Sequence, residues 1–409
     1  MRGRYGRKSV HSHGSMRVMP GRGTLVAVCM FAAKAAMAQS AARMEIEWPA
    51  MGSAAAPLPR LVVPDRPELR LGSAGGPEHT LFSGILGLVR LPNGHVLVGD
   101  EGNKRVVYFD SAGGFVRSIG RSGGGPGEFR QPRWFGQCID GRLAVQDGGL
   151  ARLTFLSAEG AVLGGTPLPP GGHFGKILWC SGDKKLIMLL DRPTTPATRG
   201  SYIDVPVVLV HVNNAAVDTI APVGVQEYYI GKEIAGLTTV PFGRSTVGVA
   251  STNRIFACST NSGECVVFDT TGKRLQGWSL GIQGRTSARG DWTAAQREYL
   301  ETEPARVVRS RGAQLLREIR PRRELPLFDQ MRVDHDGNVW FRTMDNLGRQ
   351  VATWAVFSPS GIPKALVAVK RSFQVVSIGR DHLLGFERDV DGVEFVELLP
   401  FDGIDRLPP

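Results

Sequence analysis

A chain of 409 residues with 42% hydrophobic and 21% charged residues is globular, and this composition excludes a mainly disordered protein. Its 52 glycines and 26 prolines follow no Gly-X-Y period, so they mark turns rather than a fibre. The net charge of +11 points toward nucleic acid until it is located along the chain.

Residues 1–38 hold seven basic side chains (Arg2, Arg4, Arg7, Lys8, Arg17, Arg22 and Lys34) and no acidic one. A ten-residue apolar run, Thr24–Ala33, follows the basic start, and Ala36-Met37-Ala38 has the A-x-A form of a cleavage site. Together these make the pattern of a secretory signal peptide over 1–38. The run is too short to span a bilayer, which takes roughly 20 apolar residues. Met16 offers a second start behind the polar lead Met1–Ser15, and Val28 before Cys29 argues against lipidation. Removing 1–38 leaves 42 basic and 38 acidic residues, a charge of +4, and the case for nucleic acid disappears. No later stretch reaches transmembrane length, so the expected location is periplasmic or secreted, in a bacterial-type envelope. Residues 39–66 read as a lead segment.

Next comes an internal repeat, an apolar strand ending in a polar turn. Its copies are Val106–Gly113, Leu153–Gly160, Val208–Asn214, Cys265–Gly272, Trp354–Gly361 and Phe395–Gly403. The third has Ala216 where the others have glycine. Around the first copy, Gly87–Leu91 meets the turn pair Asn93-Gly94, and His95–Gly99 follows. Then come the loop Asp100–Lys104 and the strands Arg105–Asp110 and Phe115–Ile119. Four antiparallel strands recurring roughly every forty residues are the blade of a propeller, because one such sheet cannot bury both its faces alone. The expectation is an all-β, six-bladed β-propeller over 67–405.

Only six residues follow Gly403, too few for a last outer strand. Arg70–Pro77 (RLGSAGGP) is similar to Ser118–Pro126 (SIGRSGGGP), the end of a fourth strand and its exit loop. Residues 67–72 are therefore expected to supply the outer strand of the final blade and close the ring, leaving no open edge there. Asp291–Arg323 lacks strand alternation. With Asp291 as N-cap and Val308, Leu315 and Ile319 at helical spacing, it predicts two short helices split near Pro304. They would form an insertion, 291–323, between the fourth and fifth blades.

Asp100, Asn103 and Arg105 within Gly94–Asp110, continued by Gly120–Pro132 (GRSGGGPGEFRQP), resemble an NHL-type repeat. Pro326–Asp329 with Val333–Trp340 resembles the matching part of secreted bacterial six-bladed propellers of that type. The resemblance implies the fold, and propellers host unrelated activities.

Candidate sites follow from loop placement. The loops before strand one and after strand two share a face, which gathers His79, Glu128 and His173 with Asp100, Glu101 and Asp147 at one channel mouth. His95, His335 and His382 lie toward the opposite face. Scattered surface groups and loop-stapling carboxylates are the plainer reading of the first set. Gly120–Gly127 lacks the helix start that a phosphate loop needs, so it reads as a connector. The insertion carries a basic patch including Arg306, Arg309, Arg317 and Arg320, either an anionic contact or a solvated face. Four scattered cysteines form no disulfide framework, and no CxxC zinc spacing exists. Cys258 and Cys265 flank a turn, and register decides between a disulfide and two buried thiols.

The functional expectation is a non-catalytic binding or scaffold module for a protein, peptide or glycan, needing no cofactor. The alternative is a metal-dependent propeller enzyme, a lactonase-like hydrolase or lyase, with a divalent metal at the channel mouth.

Overall fold

Residues 44–45 and 58–404 are described by a computed structural model, apart from 173–174, 182, 184, 193–197, 215, 233–236, 241, 282–285, 288, 303–312, 315, 345–346 and 348–349. The expected signal peptide, 1–38, lies outside them.

The lead segment contributes two short strands, β1 (Met44–Glu45) and β2 (Arg60–Val62), and β3 (Leu69–Leu71) follows it. Blade 1 follows as β4 (Ile85–Arg90), β5 (Val96–Asp100), β6 (Arg105–Phe109) and β7 (Phe115–Ile119). Blade 2 is β8 (Pro132–Gln137), β9 (Leu143–Asp147), β10 (Arg152–Leu156) and β11 (Val162–Pro167). Blade 3 is β12 (Lys176–Cys180), β13 (Lys185–Asp191), β14 (Tyr202–Asn213), β15 (Ala216–Ile230) and the short β16 (Leu237–Thr239). Blade 4 is β17 (Thr246–Ala250), β18 (Arg254–Ser259), β19 (Glu264–Asp269) and β20 (Arg274–Ser279), and helix α1 (Arg289–Thr302) comes after it. Blade 5 is β21 (Phe328–Val333), β22 (Val339–Thr343), β23 (Val351–Phe357) and β24 (Pro363–Lys370). Blade 6 is β25 (Gln374–Ile378), β26 (His382–Arg388) and β27 (Glu394–Pro400), completed by β3. The six sheets form a six-bladed β-propeller, and the six repeated segments lie on their third strands.

Period two explains the packing. Every residue of β5 is buried, yet its side chains serve two interfaces. Val96 and Val98 cluster with Leu384 and Val396 of blade 6, while Leu97 clusters with Phe135 and Val145 of blade 2. Likewise Leu186 and Met188 pack on blade 2, and Ile187 and Leu189 on blade 4. The core is therefore divided among the blade interfaces, and the contact of blade 6 with blade 1 closes the circle. Apolar burial at about 25 cal/mol per Å² drives each interface, so no blade is stable without its neighbours.

Closure has the expected form: Leu69, Arg70 and Leu71 pair antiparallel with Leu398, Glu397 and Val396. The segment before it does more than lead in. β1 adds parallel to β20 on the outside of blade 4, and β2 adds parallel to β24 on the outside of blade 5. Open outer edges accept such strands because their backbone groups otherwise face water unpaired.

Two further differences have local causes. In the third repeat, Asn214 takes the positive φ (47°) that glycine supplies in most of the other copies, which is why glycine is dispensable there. The helix begins at Arg289, so Asp291 lies in its first turn rather than at its N-cap, where its charge suits the positive end of the helix dipole. Pro304, where two helices were expected to divide, lies outside the described residues.

Candidate functional site

The face formed by the inter-blade loops holds most of the sequence-predicted residues, and its charges are engaged in holding loops. Asp100 is fully buried and accepts bonds from Ser83 N–H (3.1 Å), Asn103 Nδ2 (2.8 Å) and Arg105 Nε (3.0 Å). Arg105 then donates to the carbonyls of Glu78 (2.8 Å) and Leu81 (3.1 Å). Blade 2 repeats the device. Buried Asp147 accepts from the N–H groups of Arg130 (2.7 Å), Gln131 (3.1 Å) and Leu150 (3.0 Å), and Arg152 donates to the carbonyls of Gly124, Gly125 and Glu128. Short polar side chains at strand ends satisfy loop backbone that no strand pairs.

Glu128 caps the Gly-rich connector, accepting from Gly125 N–H (2.8 Å) and Arg121 Nε (2.8 Å). The Gly125 bond first, and then Arg121, hold its carboxyl below the usual range. Glu101 sits in the β5–β6 turn, where its carbonyl accepts from Lys104 Nζ (2.7 Å). His79 stacks on Phe115 of β7 with ring centroids 4.2 Å apart, which places it against the outermost strand of blade 1 rather than at the channel. His173 lies outside the described residues. The expected set thus divides into separate blade-level clusters, and among the described residues no three His, Cys, Asp or Glu are grouped to hold a metal ion.

The insertion's basic patch is partly engaged as well. Arg306 and Arg309 lie outside the described residues, and Arg317 and Arg320 are exposed. Arg322 stacks over Tyr202 (4.6 Å to the centroid) and pairs with buried Glu227, while Glu318 accepts from Tyr229 Oη (3.1 Å). Glu298 of α1 forms ion pairs with Arg342 (2.7 Å) and Arg371 (3.3 Å) of blade 5. The insertion is bound by these contacts to blades 3 and 5.

The opposite mouth, formed by the hairpins between first and second strands, contains a cavity of about 440 Å³. Hairpins of blades 2, 4 and 5 and the end of β12 in blade 3 line it, with Gln137, Trp179, Asn253, His335 and Asp336 among the polar groups. Its walls are rigid for identifiable reasons. Asp334 accepts from the N–H groups of Asp336 (3.0 Å) and Asn338 (2.8 Å) and from Trp340 Nε1 (2.9 Å), fixing the turn that presents His335 and Asp336 to solvent. Backbone bonds tie neighbouring hairpins, Ile139 N–H to Cys180 O (3.0 Å) and His335 N–H to Ile378 O (3.1 Å). A disulfide joins Cys138 of blade 2 to Cys180 of blade 3 at the cavity wall. A second disulfide joins Cys258 and Cys265, which face each other across β18 and β19. The buried Trp179 indole N–H has no acceptor among the described residues. Toward blade 6, His382 Nδ1 lies 2.6 Å from Asp381 Oδ1 and 3.1 Å from Arg90 Nη1. Burial lowers the His382 pKa; the Asp381 hydrogen bond opposes this and the Arg90 charge adds to it.

Sequence reasoning gathered its candidates on the other face and did not read the Cys138–Cys180 bond or the cavity that Trp179 and Asn253 line. Those cysteines are 42 residues apart, and no spacing rule joins them. The recurring hairpin position itself was the available signal, since equivalent turns of a closed ring converge on one mouth.

Fold and mouth together define a six-bladed propeller with a multi-blade cavity. A family model described as a 6-bladed beta-propeller, DUF5128, matches residues 78–143, blade 1 and the start of blade 2. Among solved structures, the chain is similar to a putative exported protein from Bacteroides fragilis NCTC 9343 (13% identity, 82% of this chain and 98% of that one, TM-score 0.44). It is also similar to a DUF4221 family member from Bacteroides vulgatus ATCC 8482 (11%, 82% and 97%, TM-score 0.48). A third is regucalcin, a calcium-binding protein from Agrobacterium tumefaciens (12%, 85% and 99%, TM-score 0.40). No curated protein matches the chain.

Proposed function

We propose that the protein is an exported, non-catalytic binding module of the cell envelope that takes a peptide, protein or glycan ligand at the hairpin mouth. The observation that carries this reading is the cavity of about 440 Å³ at the hairpin mouth, to which blades 2, 3, 4 and 5 all contribute. A concave site that combines an aromatic side chain, Trp179, with convergent polar groups such as Gln137, Asn253 and His335 can orient a ligand by hydrogen bonds. Export is supported by the signal pattern and by the disulfides Cys138–Cys180 and Cys258–Cys265, bonds that persist in oxidising compartments. No helix among the described residues is long and apolar enough to cross a membrane. The NHL-type kinship belongs to the same proposal.

Affinity capture from an envelope extract tests it. Wild type should retain a ligand that the double variant Asn253→Ala/His335→Ala loses, with unchanged melting temperature because both side chains are exposed. Equal capture by both proteins refutes the mouth as the site. Metal analysis of the purified protein separates the two functional readings, since one bound divalent metal per chain would favour the metal-dependent enzyme.

A further inference from the structure

Recognition at the hairpin mouth falls to side chains, because the backbone of its turns is already committed. Ile139 N–H donates to Cys180 O (3.0 Å) and His335 N–H to Ile378 O (3.1 Å), each from one hairpin to the next. Within the turns, Ser251 N–H donates to Arg254 O (2.8 Å), Gly337 N–H to Asp334 O (3.1 Å) and Asp336 N–H to the Asp334 carboxylate (3.0 Å). An extended peptide is gripped chiefly by a row of free main-chain groups. The turns that line this cavity offer no such row.

The side chains around them are neutral groups with bonding capacity to spare. Ser251 closes the turn between β17 and β18, its Oγ accepting from Arg254 N–H (3.2 Å). Thr252 and Asn253, at the tip of that turn, are exposed and make no side-chain hydrogen bond among the described residues. Gln137, at the end of β8, gives Nε2 to the Gly141 carbonyl (3.0 Å), which leaves its amide oxygen to accept. Trp179 comes from β12, where a β-bulge at Leu178 interrupts the ladder with β13. Bulges re-aim side chains beside binding sites, and the half-buried indole lines the cavity together with Leu178.

Charge at this wall is scarce and already engaged. No Lys or Arg lines the cavity. Asp334 spends its carboxylate on the N–H groups of Asp336 and Asn338, on Asn338 Nδ2 (2.9 Å) and on Trp340 Nε1 (2.9 Å). Asp336 faces Arg380 of blade 6 at 3.9 Å. A carboxylate or phosphate brought here would shed water without meeting a lining cation, which is unfavourable. A sugar ring has the matching chemistry: hydroxyls that donate and accept, as hydroxyl and amide side chains do, and C–H faces that pack on an aromatic ring. The cavity's volume of about 440 Å³ lies within the roughly 300–1,000 Å³ of small-ligand sites.

We propose that the hairpin-mouth cavity binds a neutral glycan, with a sugar ring packed on the Trp179 indole and its hydroxyls bonded to Gln137, Thr252 and Asn253. The inference rests on the proposed function, which places the ligand at this mouth, and selects among the ligand classes open to it.

The test is calorimetric titration of the full chain with neutral disaccharides (cellobiose, maltose, xylobiose, mannobiose and diacetylchitobiose), beside digalacturonate and trialanine as charged comparators. At least one neutral disaccharide should bind saturably, more tightly than either comparator, and about tenfold more weakly in Asn253→Ala. Trp179→Ala should lose about tenfold or more, and Trp179→Phe, which keeps an aromatic ring, should stay within about threefold of wild type. Asn253 is exposed, so its variant should melt with wild type, which separates lost binding from lost fold. The proposal is overturned if no neutral disaccharide binds saturably or if Asn253→Ala binds it like wild type. Tighter binding of trialanine or digalacturonate than of every neutral sugar overturns it as well. Trialanine bound by wild type and lost in Asn253→Ala/His335→Ala overturns the glycan alone and keeps the mouth as the ligand site. A neutral disaccharide bound equally by wild type and that double variant overturns the mouth as its site too.

Discussion

The two faces of the ring use polar residues in opposite ways. On the inter-blade loop face, Asp100 and Asp147 have no exposed surface and Arg105 is 8% exposed, with their bonding capacity taken up by backbone and side chains of the surrounding loops. On the hairpin face, a comparable acid, Asp334, rigidifies one turn so that His335 and Asp336 can remain open to solvent. A charge that recurs at a strand end reports loop construction, whereas recognition chemistry sits where side chains retain unused bonding capacity.

The largest test of this contrast removes the closure on which both faces depend. Deleting residues 60–75 takes away β2 and β3 and leaves β27 without its outer partner, so the melting temperature should fall by roughly 10 °C or more. An unchanged melting curve would show that the ring does not need them. Next in size is the hairpin-face crosslink: replacing Cys138 and Cys180 by serine frees a 42-residue separation and should cost about 4 kcal/mol in denaturant unfolding. The pair Cys258–Cys265, separated by 7 residues, should cost less, about 2.5 kcal/mol, on the same chain-entropy reasoning. If the order is reversed, strain or denatured-state structure outweighs loop length.

Asp147→Ala addresses the loop face directly. It leaves three backbone N–H groups without their acceptor and should destabilise by about 3 kcal/mol while leaving ligand capture intact. Lost capture at full stability would erase the distinction between the faces. The smallest effect is electrostatic. Lys176 has a folded-state pKa of about 8, below its unfolded value, so above pH 8 the unfolded chain binds more protons and folding stability should rise with pH toward 10. Lys176→Met should flatten that slope in melting curves measured in low salt without phosphate or carboxylate buffers. A slope that persists in the variant assigns it to other groups.

How much was legible before the structure follows the same division. The blade repeat, the Asn93-Gly94 turn and the similarity of Arg70–Pro77 to Ser118–Pro126 are local patterns, and each maps to a strand or turn seen in the fold. The parallel additions of β1 and β2 were not legible, because an edge strand of two or three residues has no periodicity to read. The long hairpin β14–β15 was seen only in its blade portion, since alternation continues past the point where neighbouring blades stop. His79 was assigned to the channel by loop type, but its stack on Phe115 draws it outward.

The sequence by itself determined the propeller, its six units and its closing strand, because strand period, turn chemistry and repetition are properties of neighbours along the chain. Only the tertiary structure decided which mouth holds a cavity and that Cys138 meets Cys180. Both join segments far apart in sequence, and their distances are set by ring closure rather than by any local pattern.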